Sequence, residues 1–220
     1  MSRYLLAIDT ATTRTSVALL DGPQTIFEMS RDSATGHGEA LPILVSEVLQ
    51  NISANQLEAI AVGIGPGPFT GLRIGIAFAR TMAWALQIKV VGVCTLDALA
   101  YDYLKDGLAP LGDFAVATDA RRKEVYWAAY DREGIRQGEP VVVHSRDISD
   151  RLLKLPTAGN GALLYSNDFS ASVAPAYPSA TAIGQLGFAK LDAGVELTSE
   201  PLYLRRPDAM PPASSSGSIE

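Results

Sequence analysis

Two aspartates occupy matching places in the two halves of this 220-residue sequence. Asp9 ends the apolar segment "YLLAID" and Asp119 ends "FAVATD", and a short polar turn and a second apolar segment follow each of them. Carboxylates at the ends of strands are suited to hold Mg²⁺ beside a phosphate. The same side chains commonly accept hydrogen bonds from the amides of a hairpin turn. The sequence alone leaves both interpretations open.

A glycine-rich loop, "GIGPGPFTGLRIG" at residues 63–75, is the second feature that could do chemistry. In a Walker A loop a Lys follows the last glycine. Here Leu72 and Arg73 follow Gly71, so the loop does not fit that motif. It does not fit the Rossmann pattern, since Pro68 occupies the place of the last glycine. Its prolines predict a stiff turn, and Thr70 is suited to cap a helix whose first amides favour an anion. A purely structural strand-to-helix turn is the alternative.

The elements that would position these groups repeat along the chain. Apolar segments and turns predict three strands, a helix, a strand and a second helix in the first half. Residues 114–133 align with residues 4–23 at a constant offset of 110, which indicates an internal duplication. Two such lobes predict an α/β fold of the two-lobed actin, sugar-kinase and Hsp70-like (ASKHA) class, a duplicated ribonuclease H-like plan. Nucleotide lies in the cleft between the lobes of such proteins.

These patterns also suggest a division of the chain into regions. The predicted N-terminal lobe covers residues 1–98 and the C-terminal lobe covers residues 99–207. Residues 208–220 are rich in Pro and Ser and are predicted to be a disordered tail.

The helices predicted near residues 39–51 and 70–86 carry more apolar side chains than one buried face needs. The second has one stripe through Leu72, Ile76 and Ala79, and another through Ile74, Phe78 and Met82. Two stripes indicate either contact with another chain or burial on both sides within one chain. Core packing is the default expectation for Trp84, with an anchor at an interface as the alternative.

Composition narrows the classes of function. With 47% apolar and 19% charged residues, the sequence is typical of a globular protein. A net charge of −6 argues against a direct grip on RNA phosphates. The single Cys94 excludes an internal disulfide. We expect a cytoplasmic protein, because the chain has no apolar stretch of membrane-spanning length and no signal-peptide layout at its start.

Several motifs, in order over about residues 3–206, resemble the TsaB (YeaZ) family of bacterial proteins. They are "LLAIDTAT", "GPGPFTGLRIG", "DARRKEVYWAAY" and "EPLYLR". The resemblance implies a non-catalytic relative of the enzyme TsaD, within the glycoprotease-like (M22) family. It implies a role in making N6-threonylcarbamoyladenosine at position 37 of tRNA. The implied partners are TsaD, TsaE and, functionally, the synthase of threonylcarbamoyl-adenylate, with only indirect contact to tRNA.

The resemblance further implies which residues form the partner interface and which face the cleft. A partner interface, which would also form a homodimer when the chain is alone, is expected at Leu41, Leu44, Val45, Val48, Phe69, Leu72, Arg73, Ile76, Ala79, Arg80 and Ala83. Cleft-facing residues that could hold nucleotide are Asp9, Thr10, Gly65, Gly67, Thr70, Asp119, Arg121 and Glu124.

Catalysis is expected in the partner and not in this chain. By the resemblance, Thr95 and Leu99 occupy the positions of a metal-binding H-x-x-x-H motif in TsaD. The sequence holds only His37 and His144, so a helical two-histidine motif is excluded. We therefore expect no catalytic residue, no metal and no intrinsic cofactor, with ATP or ADP only at the complex. An ATP-dependent small-molecule kinase of the same fold is the alternative, and a metallopeptidase is a third, less favoured hypothesis.

Overall fold

The computed structural model describes residues 2–32, 36–105, 112–195 and 197–205. The predicted tail at residues 208–220 lies outside the described residues. The strands are β1 Tyr4–Asp9, β2 Arg14–Asp21, β3 Gln24–Asp32, β4 Leu57–Gly63, β5 Lys89–Val93, β6 Phe114–Asp119, β7 Glu124–Tyr130, β8 Val141–His144, β9 Thr157–Ala158 and β10 Ser172–Val173. The helices are α1 His37–Val48, α2 Phe69–Leu86, α3 Thr95–Lys105, α4 Asp150–Leu153, α5 Asn160–Leu164 and α6 Ala180–Ala193.

Two mixed sheets share one topology. The first has the strand order β3-β2-β1-β4-β5, and the second has the order β8-β7-β6-β9-β10. In each sheet the first strand pairs antiparallel with the second and parallel with the fourth. Asp9 and Asp119 end the corresponding strands β1 and β6. The predicted duplicated, two-lobed α/β fold of the ASKHA class is confirmed.

Helices cover both faces of the first sheet. Alternate residues of β1 point to opposite faces, as the period of a strand requires. Leu6 and Ile8 pack with α1 and α2, whereas Leu5 and Ala7 pack with α6. The first sheet is therefore buried on both faces, which explains the nearly continuous apolar runs of β1 and β4.

Helix α6 returns to the first lobe although it comes late in the chain. It packs against β1 and β2, while α3 contacts both α6 and β6. Leu96, Leu99 and Phe114 share one buried cluster, so α3 joins the two lobes through packed apolar side chains. The residue at which the lobes divide stays a prediction. The second lobe is thinner, because α4 and α5 have only four and five residues.

None of the helices in the described part of the chain is long and apolar enough to cross a bilayer.

Candidate functional site

The two aspartate turns and the glycine-rich loop meet where the lobes face each other. Asp9 lies at the end of β1, and the loop leaves the end of the neighbouring parallel strand β4. The second lobe contacts the loop directly, since the Tyr126 hydroxyl donates to the Gly67 carbonyl at 3.3 Å. The glycine-rich loop and the second lobe therefore touch at this point, and the assignment of the predicted residues to a nucleotide cleft stays a prediction.

Asp9 is sealed inside the first lobe. Its side chain is 1% exposed, and both carboxylate oxygens accept hydrogen bonds from the protein. The Ala11 amide donates to Oδ1 at 2.9 Å, and the Thr95 hydroxyl donates to Oδ2 at 2.8 Å. This is the arrangement of a turn-stabilising aspartate, and it leaves no open side for a metal ion.

Burial also changes the acidity of Asp9. Desolvation raises the pKa of its carboxyl to about 6, and the hydrogen bonds from Ala11 and Thr95 only partly oppose that effect. An ionised carboxylate in this place is therefore costly near neutral pH.

The glycines of the loop allow the backbone to lie directly on the first turn. A Cβ on Gly63 would lie 1.9 Å from Asp9 Oδ2, and a Cβ on Gly67 would lie 2.2 Å from the Ala11 carbonyl oxygen. The Thr10 hydroxyl donates to the Gly71 carbonyl at 2.7 Å, beside Gly75 of α2. The loop is thus packed against the protein itself and has no room there for a phosphate.

Asp119 is the more accessible of the two aspartates. The Arg121 amide donates to its Oδ1 at 2.8 Å, and the Tyr165 hydroxyl donates to the same oxygen at 3.1 Å. Its own amide donates to Asn160 Oδ1 at 3.2 Å. Asp119 is only partly buried, so its second oxygen is the better placed of the aspartate oxygens to meet a ligand.

The tip of the second hairpin has an unusual backbone. Arg121, Arg122 and Lys123 have φ values of 60°, 57° and 63°, a left-handed region that non-glycine residues seldom adopt. All three are exposed. Glu124, which was predicted to face the cleft, forms an ion pair with Arg205.

A cavity of about 320 Å³ lies between the first turn, the starts of α1 and α2, and the second hairpin. Arg121 and the buried His37 line it, and the His37 Nδ1 lies 2.7 Å from the Thr15 hydroxyl. Burial lowers the pKa of His37, so its ring is neutral at physiological pH. Of the predicted cleft residues, Thr70 and Arg121 reach this cavity, whereas Asp9 does not.

Most of the predicted interface residues face the core of the protein itself. None of these is more than 6% exposed, and they pack with the first sheet. These side chains offer little surface to a partner in the monomer, and their assignment to an interface stays a prediction. Burial within one chain, the alternative stated above, explains this stripe. The predicted interface residues that are buried in this way are Leu41, Leu44, Val45, Val48, Leu72, Ile76, Ala79 and Ala83.

The three remaining predicted interface residues contact a later part of the same chain, residues 197–205, which we call the strap. Arg80 forms an ion pair with Glu200 at 2.6 Å. The rings of Phe69 and Tyr203 stack with centroids 4.9 Å apart, and the Arg73 guanidinium lies 3.6 Å from the Phe69 centroid. Within the monomer, these side chains are engaged by the strap.

The second apolar stripe of α2 is the one that reaches the surface. It borders a groove of about 420 Å³, the α1–α2 groove, with very little polar lining. Trp84 nearby on α2 is 77% exposed, so the expectation of core packing was wrong for it. The sequence predicted both apolar stripes of α2, but it did not indicate which of the two faces the sheet. The lining residues are Gly38, Leu41, Pro42, Ile74, Ala77, Phe78, Thr81, Met82 and Ala85.

A family model and several known proteins that are similar to this chain indicate its family. A family model described as "TsaD: tRNA N6-adenosine threonylcarbamoyltransferase" matches residues 30–184. The tRNA threonylcarbamoyladenosine biosynthesis protein TsaB of Buchnera aphidicola is 32% identical over 165 residues, which cover 70% of this chain and 75% of that protein. The chain belongs to the TsaB (YeaZ) family. An uncharacterized protein of Mycobacterium leprae is 40% identical over 215 residues, and the match covers 94% of this chain and 56% of that protein.

A solved structure of the TsaB (YeaZ) family agrees with the fold. YeaZ from Pseudomonas aeruginosa superimposes with a TM-score of 0.77 at 30% identity, and the match covers 92% of this chain and all of that one. The similarity therefore extends over both lobes.

The two positions that the resemblance matched to the histidines of TsaD, Thr95 and Leu99, are buried in this TsaB-family chain. Thr95 and Leu99 are both 0% exposed, and the Thr95 hydroxyl bonds Asp9. Among the described residues, no group of three or more His, Cys, Asp or Glu side chains is arranged to hold a metal ion.

Proposed function

We propose that this protein is a non-catalytic scaffold or activator subunit in the synthesis of N6-threonylcarbamoyladenosine at position 37 of tRNA. Family membership supports the pathway, since TsaB relatives are named for threonylcarbamoyladenosine biosynthesis. The burial of Asp9 is the observation that supports a non-catalytic role for this chain. Both of its oxygens are occupied by Ala11 and Thr95, so it has no free site for Mg²⁺ or for a substrate.

The α1–α2 groove is the surface we propose for docking of a TsaD-type catalytic subunit. Apolar surface of this kind marks sites of protein association. Outside the groove lining, but on the same two helices, Ile43 is 45% exposed and Trp84 is 77% exposed. Large apolar side chains of this kind supply much of the energy of an interface. In the absence of that partner we expect the same groove to pair with a second copy, because exposed apolar surface favours association and identical chains associate most often as twofold dimers. TsaE would then bind to the complex of this chain with the TsaD-type subunit.

Nucleotide is proposed to bind at the assembled complex and not tightly to this chain alone. Thr10, Gly65 and Gly67 are buried in the first lobe, and Glu124 is paired with Arg205. We propose that the protein has no cofactor of its own and works in the cytoplasm. A small-molecule kinase is the second candidate, because Asp119 is only partly buried. The described residues offer a metallopeptidase no cluster of metal ligands.

Reconstitution by omission tests the proposed class. The chain is mixed with TsaD, TsaE, ATP, threonylcarbamoyl-adenylate and tRNA, and modified adenosine is measured with each component left out in turn. We expect modification to require this chain, while the chain alone neither modifies tRNA nor turns over ATP. Phosphoryl transfer by the pure chain that is lost in Asp119→Ala would instead establish the kinase.

Matched variants test the docking surface. Ala77→Glu and Thr81→Glu together place two charges in the α1–α2 groove at exposed positions, so the fold should survive. Ala189→Glu puts one such charge on the exposed side of α6, on the other face of the sheet. We expect the groove variant to lose binding to TsaD, measured by calorimetry, and the α6 variant to bind normally. Normal binding by the groove variant would show that docking occurs elsewhere.

A further inference from the structure

The strap begins along the open edge of the first sheet. β5 is an edge strand, and the Gly92 amide donates to the Thr198 carbonyl at 2.9 Å. A Cβ on Gly92 would lie 2.2 Å from that carbonyl oxygen, so only glycine permits this approach. Farther along, the Leu202 amide donates to the Ile64 carbonyl at 2.8 Å. Backbone hydrogen bonds therefore hold the strap to the first lobe at two separate points.

Side chains of α2 form the second set of anchors. Arg80 donates from Nε to the Ser199 hydroxyl at 2.9 Å and pairs with Glu200 through Nη2. Arg73 Nε donates to the Tyr203 hydroxyl at 3.2 Å. Both arginines lie on the exposed side of α2, so the strap is bound to the outside of that helix.

The end of the strap is fixed to the second lobe. Arg205 Nη1 donates to the Ala120 carbonyl at 3.1 Å, and the guanidinium pairs with Glu124 at the base of the second hairpin. Leu202 and Leu204 pack against the apolar cluster that α3 shares with β6. The Arg205 and Glu124 side chains are only 27% and 25% exposed, so water screens this ion pair less than an ordinary surface pair.

We propose that the strap is a clamp that fixes the angle between the two lobes. Folds of this two-lobed class can hinge about the cleft, and a segment bonded to both sides opposes that motion. Detachment at either end would free the hinge without unfolding either sheet. The proposal concerns the motion of the chain alone and does not depend on the proposed function.

Distances between the lobes test the clamp. Spin labels on cysteines introduced at Gln50 in the first lobe and Lys154 in the second report the angle, since both positions are exposed. The native Cys94 stays unlabelled because it is 7% exposed and burial raises the pKa of its thiol to about 12. Arg205→Ala cuts the anchor on the second lobe. Arg80→Ala with Tyr203→Ala cuts the anchors on α2, and Arg146→Ala is the control because Arg146 is an exposed arginine paired only loosely with Asp147.

The distance distribution is expected to broaden in both strap variants and to stay unchanged in the control. Hydrogen exchange at the Leu202 amide should become faster by about tenfold or more, because the loss of a charged hydrogen bond lowers the free energy of local opening. Wild-type distances and exchange in both variants would overturn the proposal. Faster exchange with an unchanged distance distribution would also overturn it, because the strap would then detach without controlling the lobes.

Discussion

The two aspartate turns have the same sequence pattern and opposite surroundings. Asp9 is covered by the glycine-rich loop and by Thr95, whereas Asp119 is only partly buried. The first turn is held by close backbone packing, and the second ends in three exposed residues with a left-handed backbone. Duplication has therefore preserved the strand and the aspartate, while the elements around them decide what the aspartate does.

This difference gives the carboxylates separate roles. In the first lobe the carboxylate completes a buried network, and its removal should affect stability. In the second lobe the carboxylate orders an exposed tip, and its removal should affect mainly that tip. The following predictions test the contrast, starting with the largest expected effect.

Substitution of Gly67 by Ala should be severely destabilising. The added Cβ would lie 2.2 Å from the Ala11 backbone carbonyl, which cannot rotate away. Overpacking of this kind costs about 3 kcal/mol of unfolding free energy. Urea titration followed by circular dichroism measures the loss. Gly38→Ala is the control, because a Cβ there meets nothing within 4 Å. Equal stability of the two variants would mean that the loop does not seal the first turn.

Asp9 should make the protein less stable as pH rises through 6. The folded protein holds the Asp9 proton more tightly than the unfolded chain, since the pKa is about 6 instead of 3.8. The contribution to stability is therefore full below about pH 4 and is lost as pH rises through about 6. The difference corresponds to about 3 kcal/mol.

Asp9→Asn removes this titration, so its stability relative to wild type should improve between pH 4.5 and 7.5 in urea titrations. The amide oxygen can still accept from Ala11, and the amide nitrogen can donate to Thr95 Oγ1. Asp119→Asn serves as the matched control and leaves the Asp9 titration in place. A stability difference between Asp9→Asn and wild type that does not vary with pH would contradict the buried acid.

Lys123→Gly should produce the smallest effect, a gain in stability of about 1 kcal/mol. Lys123 has a φ of 63°, and a left-handed conformation costs a non-glycine residue about that much. Lys154→Gly is the matched control, since Lys154 has an ordinary right-handed backbone with φ of −84° and should lose stability. Thermal unfolding of the two variants compares them. Destabilisation by Lys123→Gly would indicate that the tip is not strained.

Much of the fold could be predicted because its signals are local. The apolar runs of β1 and β4 and the offset of 110 residues give two similar sheets without knowledge of any contact. The position of α6 could not be obtained in this way. Its sequence order places it with the second lobe, whereas its small residues Gly184 and Gly187 allow it to pack closely on Leu20 and Ala61 of the first sheet.

The sequence predicted two apolar stripes on α2 but not which of them faces the sheet. Periodicity identified both stripes of α2, yet the hydrophobicity of Ile76 and of Phe78 does not reveal which one faces the sheet. The resemblance assigned Arg73 and Arg80 to a partner, whereas their contacts in the structure lie more than 100 residues later in the same chain. Contacts between residues so far apart in the sequence cannot be predicted from local sequence periodicity.

The strap also affects how the protein behaves when concentrated. Edge strands with free amides are places where sheets of different molecules join and grow into aggregates. At Gly92 the edge of β5 is already occupied by Thr198. The opposite edge, β3, carries the exposed charges of Glu28, Arg31 and Asp32, which discourage another strand from adding there. The chain's own backbone thus covers part of one edge of the first sheet, and charged side chains on the other edge oppose the addition of a strand from another molecule.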